Sequence, residues 1–186
     1  MIYIGFDMSG KSETEMHECG IALRDYMLSS LLKEYSEDEI ETAPHGKPFL
    51  KSGRVGFSLS HSGGAVCCAV NTGESDLSKN ADDCWLAIKG GADREIGVDI
   101  EPVSRDVNFK KLAERFFSQR EKAYATDKER FIEMWTKKES LCKLSGRGIA
   151  DMKSTDTFAK SDNKTMTETV FLNGEEYKMS VSFKNT

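Results

Sequence analysis

Apolar positions change their period several times along the chain, and each change marks an element. Residues 2–6 form a short apolar run of strand length. Ser12 followed by Glu15 makes a capping box. It opens an amphipathic helix expected to reach about Tyr35, with Met16, Gly20, Leu23, Met27 and Leu31 on one stripe. Pro44, Gly46 and Pro48 then predict an irregular loop. A strand is expected over 55–59, a loop over 60–64, and an almost wholly apolar strand over 65–70. Residues 71–79 are polar and turn-rich, 85–88 suits another strand, and 95–101 reads as a strand ending in acids. Phe109, Leu112, Phe116 and Phe117 share a helical face. Ser118 and Glu121 form a second capping box, and a further helix is expected over 131–144, ended by the glycines of SGRG. Asn173-Gly174 between apolar runs signals a hairpin turn. The alternation of Tyr177, Met179, Val181 and Phe183 gives the last strand one buried face.

These elements predict an α+β chain in two halves, 1–102 and 103–186, without an internal sequence repeat. A chain of 186 residues buries roughly 70% of its unfolded surface and needs no staples. The five cysteines (Cys19, Cys67, Cys68, Cys84, Cys142) are odd in number and form no CxxC pair. They read as reduced thiols, neither a disulfide frame nor a zinc site. The N-terminus shows no basic head, long apolar stretch or cleavage site, and no apolar run is long enough for a membrane span. A cytoplasmic, soluble protein is expected.

Charge adds a partner class. The net charge is −5, yet residues 105–147 hold twelve Lys and Arg against seven Asp and Glu. A basic middle on an acidic chain suits a phosphate-bearing ligand or an acidic partner; a solvated helix face is the plainer account. The basic residues lack interleaved base-stacking aromatics, so no nucleic-acid partner is expected.

Four segments carry candidate chemistry. In GVDIE, Asp99 and Glu101 project from one face of a strand, roughly 6.6 Å apart along the backbone. Two such carboxylates can lean onto a hard cation such as magnesium, or simply face solvent. In WTKKESLCK, Trp135, Glu139 and Lys143 recur at i, i+4 and i+8 of a helix. They can be an anchor, a third ligand and a phosphate contact, or a core Trp beside a surface pair worth a few tenths of a kcal/mol. In SLSHSGG, His61 sits among hydroxyls and glycines, where backbone N–H groups can face an anion; capping a turn is the alternative. GKP (Gly46, Lys47, Pro48) places a cation beside a rigid proline.

Together the segments GKPFL, FSLSHSGG, IGVDIEPV, RFFSQREKAY and WTKKESLCKLSGRG, in this order over 46–148, resemble the 4′-phosphopantetheinyl transferase superfamily. The nearer match is the single-chain type that activates peptide and polyketide synthetases. The resemblance implies two similar α+β halves related by a pseudo-two-fold, with coenzyme A and magnesium in the cleft between them. It implies that Asp99, Glu101 and Glu139 hold magnesium and that Lys143 contacts the phosphates. His61, with Ser60 beside it, would meet the 3′-phosphate of coenzyme A. Gly46, Lys47 and Pro48 would border the adenine end, and Lys138 would be a further phosphate contact. The implied reaction transfers the phosphopantetheine arm to a serine of an acyl or peptidyl carrier protein, with Glu139 or a metal-held water as base. A monomer is expected, since two halves already make the cleft.

Three departures stand out. The N-terminal portion is shorter than usual for the type. Arg24 only loosely replaces an Arg-Thr pair near the adenine. The connection 70–95 is long and is expected to add a hairpin. Two other readings compete: a non-catalytic coenzyme A- or carrier-binding homologue, and a phosphate-loop nucleotide hydrolase or kinase, since GFDMSGKS satisfies GxxxxGK[ST]. The second would need a parallel sheet with alternating strands and helices.

Overall fold

The computed structural model describes residues 1–8, 12–73, 82 and 85–184. The chain begins with strand β1 (Ile2–Asp7) and helix α1 (Glu13–Leu31). It continues through a ribbon of β2 (Ile40–Thr42) and β3 (Pro48–Leu50), then β4 (Gly56–Ser62), β5 (Ala65–Asn71) and β6 (Leu86–Ile88). Next come β7 (Ile96–Pro102), the helices α2 (Phe109–Phe116), α3 (Gln119–Tyr124) and α4 (Lys128–Ser145), and the hairpin of β8 (Asn163–Leu172) and β9 (Glu175–Lys184).

One sheet has the order β4-β5-β1-β6 and another β7-β9-β8. Every strand pair among the described residues is antiparallel. That removes the parallel sheet a phosphate-loop nucleotidase needs. Ser12 is a helix cap: its hydroxyl accepts the Glu15 N–H while the Glu15 carboxylate accepts the Ser12 N–H. Residues 9–11 of that motif lie outside the described residues.

With β6 set aside, both sheets follow the chain order of strand, helix, strand, strand, and the third of these strands, β5 in one and β9 in the other, lies between the other two. The boundary expected after residue 102 divides them at the end of β7. Because β7 pairs residue by residue with β9, from Ile96↔Phe183 to Pro102↔Tyr177, it goes with the C-terminal sheet. The long connection contributes β6, which pairs with β1 and widens the first sheet. The hairpin expected there falls mostly on residues outside the description, as does Cys84.

Alternation along the strands sorts side chains into three cores. Ile2, Ile4, Ala65, Cys67 and Ala69 of the first sheet meet Ile96, Val98, Ile100, Met179, Val181 and Phe183 of the second. The opposite face of the first sheet packs Tyr3, Phe57, Val66, Cys68 and Val70 against Leu23, Met27, Leu28 and Leu31 of α1. A third cluster joins α2–α4 through Phe117, Phe131, Ile132 and Trp135. Cys67, Cys68 and Cys142 are free and buried, and the half-buried Cys19 thiol donates to Asp7 Oδ2 at 3.2 Å.

Helix α4 meets the second sheet through small polar groups rather than apolar ones. Thr136 shares a 2.9 Å hydrogen bond with Ser180, and Ser140 one of 2.7 Å with Ser182. A Cβ on Gly97 would lie 2.0 Å from the Ser140 carbonyl oxygen, so only glycine admits the helix this close to β7.

Several local expectations are corrected. Helix α1 stops at Leu31, short of Tyr35, because Leu32 turns into extended backbone and packs in the core while the Tyr35 hydroxyl donates back to Asp25. The loop expected around Pro44 and Pro48 is a short antiparallel ribbon. Strand β4 runs on through Ser62, so Ser60 and His61 are strand residues rather than loop residues. Helix α4 ends as read, with Gly146 in the left-handed region at φ 73°. The hairpin turn likewise has Asn173 at φ 49° and Gly174 at φ 81°.

Candidate functional site

The halves meet where β4 approaches β7. As an edge strand, β7 pairs among the described residues only with β9, which leaves its outward N–H groups to be satisfied elsewhere. Ser58 and Ser60 of β4 do this with their hydroxyls, accepting from Val98 N–H at 3.0 Å and Ile100 N–H at 3.3 Å. Tyr177 adds a hydrogen bond to the Gly63 carbonyl at 2.8 Å.

Directly beside this junction is a cleft of about 350 Å³. From the N-terminal side it is lined by His17, Gly20, Pro48, Leu59, Ser60 and His61. Asp99, Glu101, Glu139 and Lys143 line the other side. A neighbouring hollow of about 220 Å³ shares Pro48, Leu59 and Lys143, and continues past His45, Gly46 and Lys47 to Gly146 and Gly148.

Strand alternation accounts for the carboxylates. Ile96, Val98 and Ile100 fill the inter-sheet core, so Gly97, Asp99 and Glu101 must face α4. Asp99 and Glu101 are only 3% and 7% exposed. On α4, Glu139 and Lys143 stand one turn apart and reach the same space. The Lys143 ammonium donates to Asp99 Oδ1 at 2.8 Å, and the Ser60 hydroxyl donates to the same oxygen at 2.8 Å. Asp99 Oδ2 is buried with no hydrogen-bond partner among the described residues. Glu101 is held on both sides: Ser62 donates to one oxygen and Arg105 to the other.

Burial pushes the Glu101 carboxyl up to about 7, with the Asp99 charge as the next cause; Ser62, Arg105 and Lys143 oppose the rise. Glu139 is likewise pushed up to about 7, first by burial and then by Asp99, with Lys143 opposing. His61 is lowered by burial and by the Lys143 and His17 charges, which favours its neutral form. The His61 and His17 rings stand edge to face, 6.4 Å between centres.

The donor set bears on a cation. Buried, mutually repelling carboxylates and an unpaired carboxylate oxygen beside a lysine form an all-oxygen arrangement, the chemistry a hard divalent ion selects. Among the described residues, no group of three His, Cys, Asp or Glu side chains is already drawn into a ligating cluster. Asp99, Glu101 and Glu139 share one cleft and one electrostatic field without converging on a point. The residues fit such an ion in chemistry.

Other candidate residues are placed differently from the sequence reading. Lys138 is fully buried, pairs with Glu121 at 2.7 Å and donates to the Thr155 carbonyl. It points into the interior of the C-terminal half and cannot meet a phosphate in the cleft. Burial alone would raise the Glu121 carboxyl, but hydrogen bonds from Lys138, Thr157 and Ser118 outweigh it and hold the group low. Ser60 is spent on Asp99 and the β7 backbone rather than standing free for a phosphate. His61 pairs with Val66 in the β-ladder, so the loop of anion-facing amides expected around it is absent. Lys47 donates to the carbonyls of Ile96 at 2.9 Å and Leu144 at 3.3 Å, tying the ribbon to the end of α4. Burial holds its ammonium below the usual lysine range. Gly46, Lys47 and Pro48 all line the 220 Å³ hollow. Arg24 pairs with Asp25 at 2.7 Å and lies over the Phe57 ring.

Three residues escaped the sequence reading. His17 reaches the cleft from α1 but lies off that helix's apolar stripe. Arg105 follows β7 in a turn, where spacing from Glu101 carries no periodic signal. Ser62 had a signal in hindsight, as the third serine in the alternation Ser58, Ser60, Ser62 once the strand is carried that far.

A mixed helix-and-sheet protein with buried carboxylates and a lysine lining one cleft is the class this geometry defines. The sequence profile of the 4′-phosphopantetheinyl transferase superfamily matches residues 95–186, the segment that begins just before β7. A curated relative from Aneurinibacillus migulanus, the 4′-phosphopantetheinyl transferase gsp, is 26% identical over 166 residues, 81% of this chain and 60% of the relative. The 4′-phosphopantetheinyl transferase HetI of Nostoc sp. is 29% identical over 141 residues, 70% of this chain and 51% of the relative. The chain thus spans between half and two thirds of the length of these relatives. Residues 95–186 are similar to the 4′-phosphopantetheinyl transferase superfamily, and most of the chain is similar to two transferases of that name.

Proposed function

We propose that the protein transfers the 4′-phosphopantetheine arm of coenzyme A to a serine of an apo acyl or peptidyl carrier protein, releasing 3′,5′-adenosine bisphosphate. The observation that carries this reading is Asp99: one oxygen is held by Lys143 and Ser60, and the other is buried and unpaired in the cleft between the halves. Asp99, Glu101 and Glu139 are the residues that would hold a magnesium ion. When bound, the ion supplies neutralisation of charge on the pyrophosphate.

The side chains account for the remaining needs of the reaction. The serine hydroxyl must lose its proton as its oxygen bonds to the β-phosphorus and the bond to the adenosine-bearing phosphate breaks. Glu139, or a water that the ion would hold, is the candidate base for that proton; without an ion, burial and the Asp99 charge push the Glu139 carboxyl up to about 7. Lys143 lies where it can pass from Asp99 to a phosphate oxygen and balance the charge on the leaving group. His61, facing the cleft beside His17, is the candidate contact for the 3′-phosphate, and the hollow along Gly46, Lys47 and Pro48 for the adenine end. Positioning and electrostatics supply most of the rate in such transfers.

On this reading the protein is a cytoplasmic monomer whose halves are related by a pseudo-two-fold, supported by the shared strand–helix–strand–strand order. No helix among the described residues is long and apolar enough to cross a membrane. Exposed Lys110, Lys111, Arg115 and Arg120 provide the basic face for an acidic carrier helix.

Intact-mass analysis of an apo carrier protein incubated with this protein, coenzyme A and magnesium tests the reading. A gain of one phosphopantetheine arm, lost with chelator, is expected. No gain on acyl and peptidyl carriers alike would overturn it and favour a non-catalytic binding homologue.

A further inference from the structure

Ser58, Ser60 and Ser62 alternate along β4 and all point at β7 across the boundary between the halves. Their partners differ. Ser58 touches only backbone, accepting the Val98 N–H. Ser60 accepts the Ile100 N–H and donates its own proton to Asp99 Oδ1. Ser62 donates to Glu101, whose other oxygen is held by Arg105.

A carboxylate on a strand rotates about its last torsion over a broad, nearly two-fold well. Without a fixed donor, Asp99 has no reason to present one oxygen rather than the other. Ser60 and Lys143 both donate to Oδ1, which leaves Oδ2 as the atom turned away from hydrogen bonds in a buried setting. Ser60 is itself pinned by the Ile100 N–H, and that N–H belongs to the same strand, one residue from Asp99. The hydroxyl proton is thereby left only the carboxylate as its acceptor. Ser62 donates likewise to Glu101 two residues on, though no backbone N–H pins it, since the next position on β7 is Pro102.

We propose that Ser60 and Ser62 are positioning residues, supplied by the N-terminal half, that orient the Asp99 and Glu101 carboxylates of the C-terminal half toward a divalent cation. The inference rests on the cation reading of the site. It assigns Ser60 a different task from a phosphate contact and gives Ser62 a task that its place beside the histidine alone would not suggest. It also makes the carboxylate geometry depend on the two halves being docked. Groups that donate to ligating carboxylates commonly change metal affinity by 10–100-fold when removed.

Ser58 supplies an internal control, because its loss removes a junction hydrogen bond of the same kind without touching a carboxylate. Isothermal titration of the full chain with Mn²⁺, in the absence of coenzyme A and carrier, is the measurement, with thermal melting of each variant alongside. Ser60→Ala and Ser62→Ala are expected to weaken Mn²⁺ binding at least about ten-fold. Ser58→Ala should bind as the unmodified protein does, and Ser62→Thr, which keeps the hydroxyl, should restore most of the affinity lost in Ser62→Ala. Equal affinity in all variants would overturn the inference while leaving the cation reading intact. So would equal weakening in all three alanine variants, since that is the mark of a purely structural junction. An unmodified protein that binds no Mn²⁺ would overturn the cation reading, and this inference with it.

Discussion

Lys143 of α4 and Asp99 of β7 form a 2.8 Å ion pair at the wall of the cleft, with Lys143 27% exposed and Asp99 4% exposed in their side chains. The pair joins the two elements whose close approach Gly97 permits. It leaves one carboxylate oxygen paired and the other alone, so a cation already sits at one side of the site and a vacant acceptor at the other. Replacing Asp99 by Asn should keep the shape but remove the charge. Transfer to an apo carrier, read by intact mass, is expected to fall at least about a hundredfold, in the range for losing one preorganised electrostatic contact. Thermal stability should change little, because the variant also relieves repulsion on Glu101 and Glu139. Full activity in Asp99→Asn would remove the mechanism.

A pH dependence follows from the same cluster. Glu101 and Glu139 have folded-state values near 7, above the ordinary 4.5 of an unfolded glutamate. Between these values the folded protein binds more protons than the unfolded chain, so stability must fall as pH rises from about 4.5 to about 7. In chelator, the melting temperature is expected to decline over that window. Magnesium should reverse the decline most strongly near neutral pH, where both carboxylates ionise. A flat profile in chelator would contradict the electrostatic account.

Lys138 and Glu121 form a fully buried pair. Removing one member strands the other, at a cost of about 3–5 kcal/mol, whereas an apolar replacement of similar length fares better when both charges are removed. Lys138→Ala should lower stability by that amount in urea unfolding, and Lys138→Met with Glu121→Leu should recover part of it. A stable Lys138→Ala variant with weakened coenzyme A binding would return the residue to the phosphate site.

Gly97 makes a sharper stability test. An added Cβ meets backbone on α4, at 2.0 Å from Ser140 O and 2.4 Å from Leu144 N, and backbone does not give way as a flexible side chain can. Gly97→Ala should cost about 3 kcal/mol or more. It should also lower activity beyond the loss of folded protein, as α4 carries Glu139 and Lys143 away from β7. Equilibrium unfolding together with turnover per folded molecule separates the two effects.

The basic face of α2 predicts how a carrier is chosen. Reversing the charges of Lys110, Lys111 and Arg115, all exposed, should raise KM for an acidic carrier and weaken its dependence on salt. The kcat should hold, because none of the three reaches the cleft residues. An unchanged KM would show that the carrier docks elsewhere.

What the sequence determined by itself was whatever depends on near neighbours in the chain. The capping boxes at Ser12 and Ser118, the αL glycine at 146, the Asn173-Gly174 turn and the alternation of β9 are local signals, and each is met in the structure. The ordered motifs around Asp99, Glu101, Glu139 and Lys143 were also legible, because a two-residue strand period and a four-residue helix period place each pair on one face.

Only the tertiary structure decided which neighbours those faces meet. Helix α4 buries one face on the α2–α3 aromatics and another on the hydroxyls of β9. Its hydropathy therefore could not reveal that Lys138 turns inward to Glu121 while Glu139 and Lys143 face the cleft. In the sequence Ser58 looks like an ordinary polar strand residue and Ser60 like a loop residue beside His61, until β7 arrives with unpaired N–H groups from about forty positions away. Hydrogen bonds of that kind belong to the docking of one sheet against another, and no local period encodes them.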